Sequence, residues 1–123
     1  MKKQTRYDSG HQGGMQIKYE LDFSNPTFSK TIVPSDSFMS FKSCEVWIKT
    51  VSLTGATGNI EITSGPTVNQ ADHQQSIGTI AAGANSVNAV SGSINSSFIG
   101  IELPSGVTGL TSGKMTIIIT AKK

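Results

Sequence analysis

A two-residue alternation of apolar and polar residues is the feature that most constrains the fold of this chain. Residues 16–23 and 114–121 show it most clearly, and their alternating apolar side chains are Ile17, Tyr19, Leu21, Phe23, Met115, Ile117 and Ile119. Successive side chains of a strand point to opposite faces, so this pattern predicts half-buried β-strands. No segment of the sequence shows the 3.6-residue period of an amphipathic helix.

The remaining strands follow from shorter apolar runs that end at glycine, proline or polar clusters. The chain has 123 residues, 13 of them glycine, and its 15% of charged residues lies below the roughly 25% of an ordinary soluble domain. We predict an all-β fold, an antiparallel β-sandwich with jelly-roll-like connections and about eight strands. The predicted strands are residues 16–23, 27–33, 38–42, 43–53, 60–64, 76–81, 86–90, 98–103 and 114–121.

The chain divides into an N-terminal arm, residues 1–15, and a single sandwich domain, residues 16–123. The arm is polar and glycine-rich and has no periodicity, so we expect it to be flexible or ordered by a partner. No apolar run approaches the length of a membrane span. No apolar region follows Lys2 and Lys3, which predicts synthesis in the cytoplasm without a signal peptide.

The cationic residues are unevenly distributed along the chain. Residues 50–113 contain no lysine or arginine, so the body of the domain does not offer the clustered cations that nucleic-acid phosphates require. Lys2, Lys3 and Arg6 form a basic tip on the arm. This tip is either a solvated end or, together with Tyr7, a contact for a neighbouring subunit.

Candidate catalytic residues all have a structural explanation that fits the sequence better. Cys44 lies inside a predicted strand, far in sequence from either histidine, and we expect a buried structural thiol. Asp72 and His73 are adjacent, and a metal site there would need Glu61, Glu102 or His11 as a third ligand. Adjacent residues of an extended segment point apart, so we expect a solvated polar loop and no metal site. No nucleophile elbow accompanies the many serines, and Glu61 and Glu102 alternate with isoleucine as solvent-facing residues do.

Three further patterns have a structural and a functional interpretation. Trp47 with Phe38 and Phe41 would suit a sugar-stacking platform, but a single tryptophan in a small sandwich favours a place in the core. Residues 55–58 have the GxxG form of a nucleic-acid clamp, but they join two predicted strands and are expected to form a hairpin turn. Asn95 begins a glycosylation sequon, which has no role without secretion.

Residues 46–122 resemble small β-sandwich virion proteins of bacteriophages. The resemblance is carried by a threonine–glycine turn leading into a hydrophobic strand at 54–62, by the segment 97–101, and by the closing run 110–122, in which Thr-Ser-Gly precedes hydrophobic residues and lysine. These motifs belong to turns and strands and imply no active site.

The resemblance implies a non-enzymatic capsid-vertex, minor-capsid, head-decoration or fibre-base component that resides in the virion. Its partners would be copies of itself and other virion proteins, with no cofactor and with assembly contacts at Lys2, Lys3, Arg6 and Tyr7. The alternative is a receptor-binding module of a fibre or spike that takes host surface glycans through Trp47 and the loops 65–75, 91–97 and 104–113. A small hydrolase using Glu61, Asp72 or Glu102 is the third and weakest hypothesis.

Overall fold

The structure, a computed structural model, describes residues 1–8, 14–94 and 96–123. Strands dominate these described residues, which also form one short helix and one 3₁₀ turn (Gln70–Asp72) in the connections. The elements are β1 (Lys2–Asp8), β2 (Gly14–Asp22), β3 (Thr31–Ile32), β4 (Ser43–Val51), β5 (Asn59–Gly65), β6 (Gln75–Ala81), β7 (Ser86–Ser93), β8 (Phe98–Glu102), α1 (Ser105–Thr108) and β9 (Lys114–Lys122).

The strands form two antiparallel sheets with jelly-roll topology. Sheet A has the order β1-β2-β9-β4-β7, and sheet B has the order β3-β8-β5-β6. The pairs β2–β9, β3–β8, β4–β7 and β5–β6 follow the pairing of one long hairpin folded over on itself. The pairs β4–β9 and β5–β8 then join the folded hairpin into two sheets. The predicted antiparallel jelly-roll sandwich is confirmed, with β2 to β9 as its eight strands.

The core lies between the inner faces of the two sheets. In β9 every second residue from Met115 to Ala121 is buried, and β4 alternates in the same way from Cys44 to Thr50. The fully buried large side chains are Phe23, Phe38, Ile17, Leu21, Ile48, Leu53, Ile60, Ile62, Ile99, Ile101, Leu103 and Met115. The buried hydroxyls of Thr50 and Ser64 bond to the Gly83 carbonyl and to Gln75. Apolar burial of this kind, at roughly 25 cal/mol per Å², drives folding.

Three local predictions differ from the structure. Only Thr31–Ile32 of residues 27–33 forms a strand, because Pro26 and Pro34 lack the N–H that a longer ladder requires. Residues 38–42 turn rather than extend: Phe38 is fully buried, and the Phe41 N–H donates to the Phe38 carbonyl at 3.0 Å. The glycine-rich segment 105–113 begins with the single helical turn α1.

The turn at residues 54–58 joins β4 to β5. Gly55 and Gly58 have positive φ angles of 90° and 94°, which glycine adopts without strain. The strands on either side belong to different sheets, so the predicted hairpin pairing is wrong and the turn is a connection between the sheets. The two glycines predict the turn from sequence, but they do not predict which strands pair with β4 and β5.

Residues 2–8 of the sequence-predicted arm form β1, the outer strand of sheet A. Each residue of β1 lies opposite one of β2, from Lys2 opposite Glu20 to Asp8 opposite Gly14. The Lys3 ammonium lies 2.6 Å from an Asp36 carboxylate oxygen, and the N-terminal amine donates to Thr27 at 2.6 Å. These contacts attach β1 to the segment that follows β2, which explains how a polar, non-periodic sequence takes part in the sheet.

We predict that adjacent isoleucines of β9 differ sharply in their effect on stability. Ile117 is fully buried, whereas Ile118 lies on the outer face of sheet A and is half-buried. Ile117→Ala should lower the free energy of unfolding by about 3 kcal/mol because it leaves a cavity in the core. Ile118→Ala should cost about 1 kcal/mol or less. Urea unfolding of both variants measures the difference, and equal losses would contradict this assignment of faces.

Candidate interaction surfaces

The four sequence-predicted contact residues, Lys2, Lys3, Arg6 and Tyr7, all belong to β1. Lys2 and Arg6 lie opposite Glu20 and Gln16 of β2 and are exposed. Lys3 lies on the inner side of the sheet, where its ion pair with Asp36 occupies it. Tyr7 lies opposite Met15 in the strand register. The structure therefore brings these residues onto one edge of sheet A.

Lys3 lies beside a buried tyrosine and pairs with a carboxylate. Tyr19, opposite Lys3, has only 3% of its surface exposed. Burial raises the pKa of Tyr19 to about 12, and the negative charge of Asp36 adds to the effect. Tyr19 therefore stays neutral at physiological pH, while the charges of Lys3 and Asp36 pair beside it.

Shallow cavities lie beside β1 on the outer face of sheet A. One, of about 440 Å³, is lined by Gln4, Thr5, Arg6, Gln16 and Lys18. Three of these lining residues are uncharged, two are cationic, and none is acidic. A second cavity, of about 390 Å³, lies at the start of β1 and is lined by residues including Lys2, Glu20, Asp22 and Lys114. The β1 side of the sheet thus has mixed charge at one end, and of the two cations in the first cavity Lys18 is paired with Glu20 at 3.2 Å.

Trp47 lies on the outer face of sheet A, so its predicted place in the core is wrong. It alternates with the buried Val46 and Ile48, and its cross-strand neighbours are Ile118 of β9 and Ala89 of β7. Both faces of β4 carry apolar residues, and packing against sheet B selected the face that contains Cys44. The sugar-stacking platform drawn from three aromatics is not assembled either, because Phe38 is fully buried.

His73 attaches the connection between β5 and β6 to the outer face of sheet B. Its Nδ1 lies 3.0 Å from the Thr63 hydroxyl, and its Nε2 lies 2.8 Å from the Thr67 carbonyl oxygen. Asp72 accepts instead from the Thr67 hydroxyl at 2.7 Å. Among the described residues no group of three His, Cys, Asp or Glu side chains could hold a metal ion. His11 lies outside the described residues.

Two glycines make room for this polar network. A methyl group at Gly65 would overlap the His73 ring, and one at Gly100 would overlap Oε1 of Gln70. Gln70 donates to the Thr63 hydroxyl at 3.1 Å, so the histidine and the glutamine converge on one threonine of β5. The loop at 65–75 is therefore a packed cover on sheet B, on the opposite side of the sandwich from Trp47.

Of the remaining candidates for chemistry, the two glutamates lie side by side on sheet B, and Cys44 lies in sheet A. Glu61 and Glu102 are direct cross-strand neighbours on the outer face of sheet B, where Glu61 is exposed and Lys30 lies 3.7 Å from Glu102. Cys44 is buried, as predicted, and burial raises the pKa of its thiol to about 11. The thiol is therefore protonated at neutral pH. Asn95 lies outside the described part of the chain.

Comparisons with known proteins give fold-level similarity only. No family model matches the sequence, and no curated protein matches it. The K1 cleaved adhesin domain of Lys-gingipain from Porphyromonas gingivalis is similar over 98% of this chain and 72% of its own, at 6% identity and TM-score 0.48.

Two further solved structures are similar over 99% of this chain. One is a Bacillus endospore-appendage pilus structure, with 91% of that chain covered, 12% identity and TM-score 0.47. The other is the C-terminal CBM6 of LamC from Zobellia galactanivorans, with 100% of that chain covered, 13% identity and TM-score 0.41. At TM-scores below 0.5, no functional residue is transferred from any of these proteins. The fold itself defines the class, a β-sandwich module.

None of the helices formed by the described residues has the length and apolarity needed to cross a bilayer.

We predict that the Cys44 thiol is inert in the native protein. Cys44 is 4% exposed, so at neutral pH a disulfide reagent such as DTNB should label it about 100-fold more slowly than in the unfolded chain. Ser43, its exposed neighbour, supplies the control. A Cys44→Ala, Ser43→Cys double variant should label rapidly without denaturant, and comparable native rates for the two thiols would show that the face assignment of β4 is wrong.

Proposed function

We propose that this protein is a non-enzymatic structural module that assembles with copies of itself through the β1 edge of sheet A. The observation that carries the proposal is the position of β1, a seven-residue strand that pairs with β2 alone among the described residues. An edge of this kind presents backbone N–H and C=O groups that an added strand satisfies. Symmetric assembly is a common way of covering such an edge.

The other sheet edges are less suited to adding a strand. β3 has two residues. β6 and β7 follow each other along the chain and pack together: Val90 lies over Gly78, and Ile77 lies over Gly92. Side chains at these two glycines would meet the opposing strand within 3.3 Å. This close packing occupies the β6–β7 side of the sandwich, whereas β1 lies on the opposite side of sheet A.

The assembly that we propose is part of a bacteriophage virion, with other virion proteins as further partners. The support is the sequence resemblance over residues 46–122, together with the jelly-roll topology, which recurs in viral capsid and lectin domains. Because capsid and lectin domains share this topology, it does not distinguish a structural role from glycan binding. The surface residues must distinguish the two roles. The proposed absence of catalysis is supported by the buried Cys44 thiol and by the two hydrogen bonds that engage the His73 ring.

We expect the purified full chain to form a defined oligomer as its concentration rises. Sedimentation velocity over a wide concentration range would show a shift from monomer to oligomer. Val87→Asp supplies the matched control, because Val87 is exposed on β7 at the far edge of the same sheet, and this variant should assemble normally. A wild-type chain that stays monomeric at every concentration would overturn the proposal.

Quantitative mass spectrometry of purified phage particles tests the virion assignment, and absence of the chain from them would contradict it.

A second function, glycan binding, is favoured by the position of Trp47 on the outer face of sheet A. The indole lies partly exposed between Ile118 and Ala89, and Glu45 and Lys49 precede and follow it on the same face of β4. The C–H face of a sugar ring stacks on an indole, while hydroxyl groups bond to polar side chains at its border. The platform would be the sheet face itself rather than the loops at 65–75.

Trp47 is the chain's single tryptophan, so its fluorescence reports directly on this surface. If the face binds glycans, saturable fluorescence changes on titration with surface oligosaccharides should appear in the wild type. Trp47→Ala should abolish retention on a glycan array while leaving the far-ultraviolet circular dichroism unchanged. Val68→Ala, at an exposed position in the loop on the opposite side of the sandwich, should not affect retention. Unchanged retention by Trp47→Ala would exclude this platform.

A further inference from the structure

We infer that two copies of the chain pair β1 with β1 in antiparallel orientation, across a two-fold axis that passes beside Thr5. The five strands of sheet A from each copy would then form one continuous sheet of ten (5 + 5). This inference rests on the proposed self-assembly and adds the partner, the symmetry and the register.

Symmetry limits the registers that are available. A two-fold axis perpendicular to the sheet keeps the buried faces of both copies on the same side, so that the two cores remain on one side of the joined sheet. Residues that lie directly opposite each other then have numbers with an even sum, and one residue lies opposite its own copy at the axis. With Gln4, Thr5 or Arg6 at the axis, the two copies of β1 lie opposite each other over five or more residues.

Charge distinguishes these three registers. Centring on Gln4 places Lys2 opposite Arg6 of the second copy, and centring on Arg6 places Arg6 opposite itself. Directly opposed like charges destabilise a strand pair. Centring on Thr5 places Lys2 opposite Asp8 of the second copy, twice per dimer, and Arg6 opposite the uncharged Gln4. It also gives the longest overlap, all seven residues of the strand.

Two contacts within the monomer hold β1 in place before a second copy binds. The Lys3–Asp36 ion pair, at 2.6 Å, neutralises one of the three cations of β1 on the inner side. The bond from the N-terminal amine to Thr27 holds the beginning of the strand in place. A strand fixed before association loses less conformational freedom on binding. Lys2, Gln4 and Arg6 are exposed on the outer side and remain available to the second copy.

Charge exchange between positions 2 and 8 tests the register. In the full chain, Lys2→Asp and Asp8→Lys should each raise the dimer dissociation constant about tenfold, because each replaces two attractive pairs with two repulsive ones. The double variant restores opposite charges and should return to within about threefold of wild type. Lys49→Asp is the control, since Lys49 is exposed on the same outer face of sheet A but lies on β4. Sedimentation equilibrium measures each constant.

Cysteine cross-linking supplies a second measurement that does not depend on the charge variants folding well. In a Cys44→Ala background, Thr5→Cys places two thiols directly opposite each other, about 5 Å apart at Cα, within reach of a disulfide. Gln4→Cys places the two thiols two residues out of register, beyond about 7 Å, and should not cross-link under the same mild oxidation.

The outcomes separate this inference from the proposed function. Rescue by the double charge variant together with selective cross-linking at position 5 supports the two-fold pairing. If the charge variants leave the dissociation constant of the oligomer unchanged, or if position 4 cross-links rather than position 5, the register is wrong while self-assembly still holds. A wild-type chain that remains monomeric overturns both.

Discussion

Mutual burial of the two inner sheet faces is the interaction on which the rest of the structure depends. β9 contributes Met115, Ile117 and Ile119 from the middle of sheet A, and β5 contributes Ile60 and Ile62 from the middle of sheet B. Once these faces cover each other, the alternation of every strand assigns its other residues to the outside. The outward position of Trp47, the exposure of Glu61 and the burial of Cys44 all follow from this one packing arrangement.

The sandwich is closed differently on its two sides. Where β6 and β7 meet, glycines at 78 and 92 allow opposing side chains to approach the backbone closely. At the other side of sheet A, β1 is attached through an ion pair and a terminal hydrogen bond, and its outer edge is charged. Charged residues on an edge strand oppose indiscriminate pairing. A specific register can still be favoured where opposite charges meet, and the β1–β1 pairing that we propose depends on such a register.

The sequence grouped the proposed contact residues near the N-terminus, but it did not predict their geometry. Lys2, Lys3 and Arg6 form a cluster of three cations within five residues, with Tyr7 beside them, and the structure places all four on one strand. The polar residues around them show no alternation, so pairing with β2 could not be predicted from their periodicity. Trp47 was misassigned for a related reason: β4 has apolar residues on both faces, and a single strand does not specify which face meets the second sheet. The His73 network also escaped prediction, because its partners at 63, 67 and 70 are ordinary polar residues brought together by the fold.

The sequence by itself determined the all-β class, the positions of most strands, and the turn at Gly55 and Gly58, since these depend on local periodicity and on backbone preferences. It also determined that the thiol of Cys44 would be buried. The tertiary structure alone decided that β4 and β5 belong to different sheets, that residues 2–8 extend sheet A, and that Trp47 faces outward. Those outcomes depend on contacts between residues distant in the chain, whose energies are set by burial and register across strands rather than by any local pattern.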